Sequence, residues 1–336
     1  MVAMRSVMGR VALGLCLLAM HACASRRSLP PAEQLLPPLE RVTELPVRVP
    51  APGDQPPVVG ELQRYRIVPK DTLLDVARNA GLGFREVKDA NRSVDEWIPP
   101  AGLEVVVPTR WILPRTHQRG IVVNVPEMRM YVFPPRPKPG AAITVRTWAV
   151  AIGDDESPTP VGPFTITSKD KNPTWYVPDS IYRKMERKRR VVPPGPDNPM
   201  GAYRIRLSRG LYSIHGSDTP WAIGRQTTHG CLRLYPEDID DLYELARPSM
   251  GVEMVYEPVK VGTAGGRVFV EVHEDVYKKF PSLDREAARV LRAAGLTAHV
   301  DRDKLREAVR ERTGVPVDVS PGAPPSSYQL TAVSEP

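Results

Sequence analysis

Residues 121–133, IVVNVPEMRMYVF, alternate with a period of two. Met128, Met130 and Val132 fall on one side, while Arg129, Tyr131 and Phe133 fall on the other. Pro126 and Glu127 sit where the run must reverse, so the pattern predicts a β-hairpin. AITVRTWAVAI (142–152) reads as a further strand, and TPVGPFTI supplies a turn and another. Tyr203, Ile205 and Leu207 alternate with Arg204 and Arg206, and Gly210 turns the chain back through LYSIH. Many short strands punctuated by Pro and Gly predict a mainly β fold built on a sandwich-like or barrel-like core. One helix follows, with Pro236 in its first turn beside Glu237 and Asp238, and Ile239, Leu242 and Ala246 as its apolar stripe.

The period changes on either side of this region. At 63–109 the order is strand, helix, helix, strand: RYRIV, then a helix from Asp71 or Thr72 to near Gly81, then FREVKDAN, then LEVVVP. Residues 262–319 read as a small α+β appendage, with the strand RVFVEV and helices at Leu283–Ala294 and Asp301–Arg312. The tail at 320–336 reads as disordered. Residues 24–62 are crowded with prolines from Pro30 to Pro57 and read as a semi-rigid linker.

Composition narrows the setting. The 336 residues carry a formal charge of +7, which favours anionic surroundings. Arg5 and Arg10 precede the apolar run Val11–Met20, and small residues surround Cys23. Residues 1–23 therefore read as an export signal, with two processing routes open: removal of Cys23, or lipidation of it. Of the three cysteines, Cys16 lies inside that signal, so the exported form keeps Cys231 as its one thiol for chemistry. The basic run MERKRR (185–190) has no interleaved aromatics, and export argues against nucleic acid. It reads as a solvated loop, with attraction to anionic wall or membrane material as the alternative.

Two histidines flank the remaining thiol, in Ile214-His215-Gly216-Ser217 and Thr228-His229-Gly230-Cys231. A thiol becomes an efficient nucleophile when a nearby imidazole takes its proton. His215 ends a strand, and His229 lies two residues before Cys231, on the same face if the chain is extended; either can serve as base. Gly230 leaves backbone amides uncovered for an oxyanion. Arg233 suits a substrate carboxylate, and Ser217, Thr228 and Tyr212 are further donors. A competing arrangement is a zinc hydrolase site of His215, His229 and Cys231 with water in the fourth position.

The phrase H-G-S followed by T-T-H-G-C-L-R-L resembles the signature of the L,D-transpeptidase (YkuD) family. TPVGPFTI, NPTWYVP, PPGPDNPMG and LYPEDI are similar to phrases of its ErfK/YbiS-type subgroup. The resemblance implies a β-sandwich catalytic domain at 118–260. It implies that Cys231 is acylated, that His215 is the base oriented by the Gly216 carbonyl, that His229 supports the site, and that Arg233 recognises substrate. Thr228 stands where Ser is commoner, and Asn198 shapes the site wall. Residues 63–109 resemble a LysM module, through Tyr65, Val68, Asp71, Thr72, Leu73, Val76 and Ala77. They depart from it at Lys70, where Gly is usual, and in the long stretch RSVDEWIPPAG.

The resemblance implies a periplasmic or envelope enzyme, without cofactor or metal, acting on peptidoglycan stem tetrapeptides. It would release terminal D-alanine and transfer the acyl group to a diaminopimelate amine, an outer-membrane lipoprotein lysine or water. No nucleic acid partner is implied, and Cys23 offers a lipid anchor. The alternative outside enzymology is a wall-binding protein that works through the LysM-like unit alone.

Overall fold

The computed structural model describes residues 36–116, 119–135, 138–186 and 188–324. The expected export signal with Cys16 and Cys23, and residues 325–336 of the expected tail, lie outside the described residues.

The N-terminal third contributes β1 (Glu44–Arg48), β2 (Val58–Gly60), β3 (Gln63–Arg66), α1 (Leu73–Ala80), α2 (Phe84–Ala90), β4 (Glu104–Val107) and β5 (Arg110–Ile112). β3 and β4 pair antiparallel around the two helices, in the strand–helix–helix–strand order read from the sequence. The start of α1 is fixed by reciprocal capping: the Thr72 hydroxyl accepts from the Asp75 amide at 3.2 Å, and the Asp75 carboxylate accepts from the Thr72 amide at 3.0 Å. Leu73, Val76, Ala77 and Ala80 form its buried stripe.

Then come β6 (Gly120–Asn124), β7 (Arg129–Phe133), β8 (Ala142–Ala149), β9 (Ile152–Gly153), β10 (Gly162–Lys171), β11 (Trp175–Tyr176), α3 (Asp179–Lys184) and β12 (Val191–Val192). β13 (Tyr203–Leu207) follows, the H-G-S and T-T-H-G-C-L-R-L phrases lie on and beside β14 (Ser213–His215), β15 (Gln226–Thr228) and β16 (Leu232–Arg233), and α4 (Pro236–Leu245) and β17 (Gly251–Val255) close the region. A nine-stranded sheet runs β1-β8-β7-β6-β17-β10-β13-β14-β16. It is mixed: β17 pairs parallel with β6, and β14 parallel with β16.

Both faces of the β6–β8 part of this sheet are buried. Met128, Met130 and Val132 pack with Trp148, Ile205, Ile214, Leu232, Ile239 and Leu242. Tyr131 and Phe133, on the opposite face, pack with Leu73, Val76, Val87, Val105 and Trp111 of the N-terminal third. Arg129 shares that second face and is fully buried. Its guanidinium pairs with Glu86 of α2 through Nε and Nη2, both at 2.8 Å, and lies 4.5 Å from the Trp111 ring centroid.

The expected linker is corrected by β1. Residues 44–48 are the edge strand of the large sheet, in register Pro46 with Thr144, and Leu45 and Val47 are buried. Proline is tolerated there because an edge strand has one neighbour and one row of amides left unpaired.

The final segment comprises β18 (Val259–Ala264), β19 (Arg267–Val272), α5 (Leu283–Ala293), α6 (Arg302–Glu311) and β20 (Val317–Asp318). It is joined to the large sheet by a buried ionic network. The Lys260 ammonium donates to Glu127 and to the Ile112 carbonyl, each at 2.7 Å, and contacts Glu271 at 2.8 Å. His273 meets Glu271 at 2.7 Å. Within residues 320–324, expected in a disordered tail, two positions are held: the Ser320 hydroxyl accepts from the Val268 amide at 2.8 Å, and Ala323 is buried.

Candidate active site

β14 and β16 are parallel neighbours in the register Ile214 with Leu232 and His215 with Arg233. Ile214 and Leu232 enter the core, so the alternation of a strand leaves Ser213 and His215 together on the other face. Cys231 immediately precedes β16, and its Sγ lies 3.6 Å from Ser213 Oγ and 3.8 Å from the Leu211 carbonyl. The thiol is partly exposed. Ser213 is the residue that sequence reasoning misses, although the alternation of LYSIH already puts it on the face of His215.

The imidazole of His215 is buried, and Nδ1 meets the Gly216 carbonyl at 2.8 Å. A carbonyl only accepts, so Nδ1 carries the hydrogen and Nε2 keeps its lone pair. Burial, then the positive field of Arg233, push the imidazole down to about 3, against the opposing pull of the Gly216 and Pro199 carbonyls. The ring is therefore neutral at pH 7.

The loop before Cys231 is a tight turn, which corrects two expectations. Gly230 has φ +94°, so residues 229–231 are not extended, and His229 is exposed to solvent. The Gly230 amide is not free for an oxyanion, because it donates to Thr228 Oγ1 at 3.1 Å. The same hydroxyl donates to the Cys231 carbonyl at 2.6 Å, and Thr159 Oγ1 donates to the Gly230 carbonyl at 3.2 Å. A Cβ at 230 would come within 2.7 Å of the Tyr212 ring, so this position combines a left-handed backbone with a ring packed on it.

Tyr212 thus acts through its ring, which also meets Phe164 edge-on at 6.4 Å. Ser217 closes a local turn by accepting from the Thr219 amide at 3.0 Å. Asn198 ties the neighbouring loop together, donating to the carbonyls of Pro173 at 2.8 Å and Pro193 at 3.1 Å. Arg233 differs from these satisfied groups: its Nε is buried with no hydrogen-bond partner among the described residues. Burial lowers its pKa, and only the fields of Asp218 and Cys231 oppose that.

The zinc arrangement is not assembled. Among the described residues, the one group whose metal-ligating atoms come within 4.8 Å of one another is Glu127, Glu271 and His273, and the Lys260 ammonium lies between those two carboxylates. His215, His229 and Cys231 do not form such a group.

Residues 118–270 match the model of the L,D-transpeptidase catalytic domain, YkuD. The chain is 32% identical over 295 residues to the probable L,D-transpeptidase ErfK/SrfK of Escherichia coli (strain K12), across 84% of this chain and 93% of that protein. The chain belongs to the L,D-transpeptidase family. It is also 32% identical to the probable L,D-transpeptidase YbiS of the same organism, over 81% of this chain and 91% of that one. Among solved structures, L,D-transpeptidase 3 from Mycobacterium tuberculosis aligns with 17% identity and a TM-score of 0.31, over 65% of this chain and 99% of that one. The match to the transpeptidase domain runs past the expected end at 260 and takes in β18 and part of β19. No helix among the described residues of the transpeptidase is long and apolar enough to cross a membrane.

Proposed function

We propose that this transpeptidase acts on peptidoglycan stem tetrapeptides through a thioester on Cys231. The observation that carries the reading is the grouping, about one parallel strand pair, of a thiol, a neutral imidazole and a guanidinium whose buried Nε has no hydrogen-bond partner among the described residues. His215 Nε2 takes the thiol proton, with the Ser213 hydroxyl beside the sulfur as a relay. The sulfur attacks the carbonyl that joins the third stem residue to terminal D-alanine. Collapse of the tetrahedral intermediate breaks the C–N bond, His215 returns the proton to the departing amine, and D-alanine leaves. A second amine, deprotonated at the same imidazole, then attacks the thioester and frees the thiol. Arg233 holds a donor carboxylate by a charge-assisted pair.

The acceptor is the diaminopimelate side chain of a second stem or a lipoprotein lysine, and water in its place would make the reaction a carboxypeptidase one. The signature residues support an enzyme working outside the cytoplasm, reached through the signal at 1–23. Cys23 is either removed with that signal or carries the lipid that holds the chain at a membrane. The module at 63–109 reads as the glycan-holding unit, with Val68, Trp97 and Ile98 exposed on neighbouring loops.

Incubation with a disaccharide-tetrapeptide, followed by mass spectrometry of enzyme and products, tests this. A thioester adduct on Cys231 that lacks the mass of D-alanine is expected, resolved into a third-residue cross-link. Product release with no adduct in wild type, or turnover by Cys231→Ala, removes the nucleophile assignment.

A further inference from the structure

We infer that the turn at residues 81–84 of the N-terminal module is a positioning element for the cysteine loop of the transpeptidase, so that the module sets the rate of acylation as well as any contact with the wall. The functional half of this inference rests on the acyl-transfer reading of Cys231.

The turn grips the chain on both sides of the thiol. Upstream, the Phe84 amide donates to the Ile223 carbonyl at 3.1 Å, and the Arg225 guanidinium lies 3.5 Å from the centroid of the Phe84 ring. Gly83 and Gly224 meet backbone to backbone: a Cβ on Gly83 would stand 2.7 Å from the Gly224 Cα, and one on Gly224 2.5 Å from the Gly83 Cα. Downstream, the Tyr235 hydroxyl donates to the Leu82 carbonyl at 3.0 Å.

The turn is itself anchored. The Gly83 amide donates to Glu86 at 2.7 Å, and the Gly81 carbonyl accepts from Arg129 at 3.2 Å. From Arg225 the chain enters β15, which pairs with β9 and ends at Thr228, whose hydroxyl holds the Cys231 carbonyl. A movement at 83–84 therefore reaches the sulfur through a few rigid links, and a misplacement of about 1 Å at a nucleophile costs on the order of 100-fold in rate.

The test uses the full chain with Phe84→Ala, Phe84→Tyr, Arg225→Ala and the double variant Phe84→Ala/Arg225→Ala. Hydrogen exchange across 220–231 is read beside single-turnover acylation by disaccharide-tetrapeptide. Phe84→Ala and Arg225→Ala should each speed exchange in 220–231 and slow acylation by about tenfold or more, with a smaller change in donor affinity. Phe84→Tyr, which keeps the ring, should restore both. The double variant should lose less than the product of the two single losses, since both remove one contact.

Arg225 is partly exposed, so its variant keeps the test open if Phe84→Ala fails to fold. Wild-type exchange in Arg225→Ala overturns the inference, as does faster exchange with an unchanged acylation rate. A wild-type chain that never forms the adduct overturns the acyl-transfer reading and the claim on rate, while the exchange data still decide the positioning contact.

Discussion

His215 and Arg233 stand opposite each other across the parallel pair of β14 and β16. Burial keeps the ring neutral first, and the cation of Arg233 beside it adds to the effect by disfavouring a second positive charge. The pair also orders the chemistry. On the proposed reading, a donor carboxylate docked on Arg233 would cancel part of that field and raise the basicity of the ring.

Activity should therefore persist into acid. With the imidazole at about 3 rather than 6.5, the acidic limb of kcat/KM for the donor falls well below pH 6.5. A limb centred at 6.5 in a pH–rate profile would contradict the neutral, field-depressed ring.

The same group shapes stability. Above pH 6.5 the imidazole is neutral whether the chain is folded or unfolded. Between 6.5 and about 3 the unfolded chain takes up a proton that the folded one refuses, so stability falls as pH falls. The loss approaches about 5 kcal/mol over that window. Denaturant titrations at several pH values should show it in the wild type, and a shallower slope in His215→Gln.

Replacing Arg233 by Gln should raise the His215 pKa, seen by NMR titration, and raise KM for the donor. The loss of one charge-assisted pair corresponds to about 1.5–3 kcal/mol, or roughly 10- to 150-fold in binding. An unchanged KM would separate Arg233 from donor recognition.

His215→Ala should lower acyl transfer by about 10²- to 10⁴-fold. His229→Ala should cost far less, because that side chain faces solvent. Comparison of the two single-turnover rates decides the base, and collapse in His229→Ala alone would reassign it.

Thr228→Val keeps the shape but removes the hydroxyl that binds Gly230 and Cys231. Destabilisation of about 1–3 kcal/mol is expected from the amide and carbonyl left without partners. Thermal melts measure it, and altered alkylation of Cys231 by iodoacetamide reports the loosened turn.

Much of the architecture is legible in the chain itself. The alternation in 121–133 places Met128, Met130 and Val132 opposite Arg129, Tyr131 and Phe133, and the structure keeps that division. Periodicity does not reveal that the second set also faces a core. The charge on Arg129 points to solvent, whereas its partner Glu86 lies 43 residues upstream on a separate helix. For the candidate site, the structure brings His215, Cys231 and Arg233 of the quoted phrases together about one strand pair, but the geometry is less legible. The His–Gly–Cys spacing suits extended chain, although the glycine between them is itself the sign of a left-handed turn. Ser213 stays hidden because a serine in a strand carries no signal until its neighbour's chemistry is known.

The edge position of β1 has a practical consequence. A fragment trimmed to the matched region at 118–270 would strip β8 of its partner and leave a row of bare backbone groups along one side of the sheet. Such a margin is a template for another chain, so trimmed preparations would self-associate. The segment that resembles a mere leash in composition covers that margin in the whole chain, and Pro46 blunts the new edge it creates.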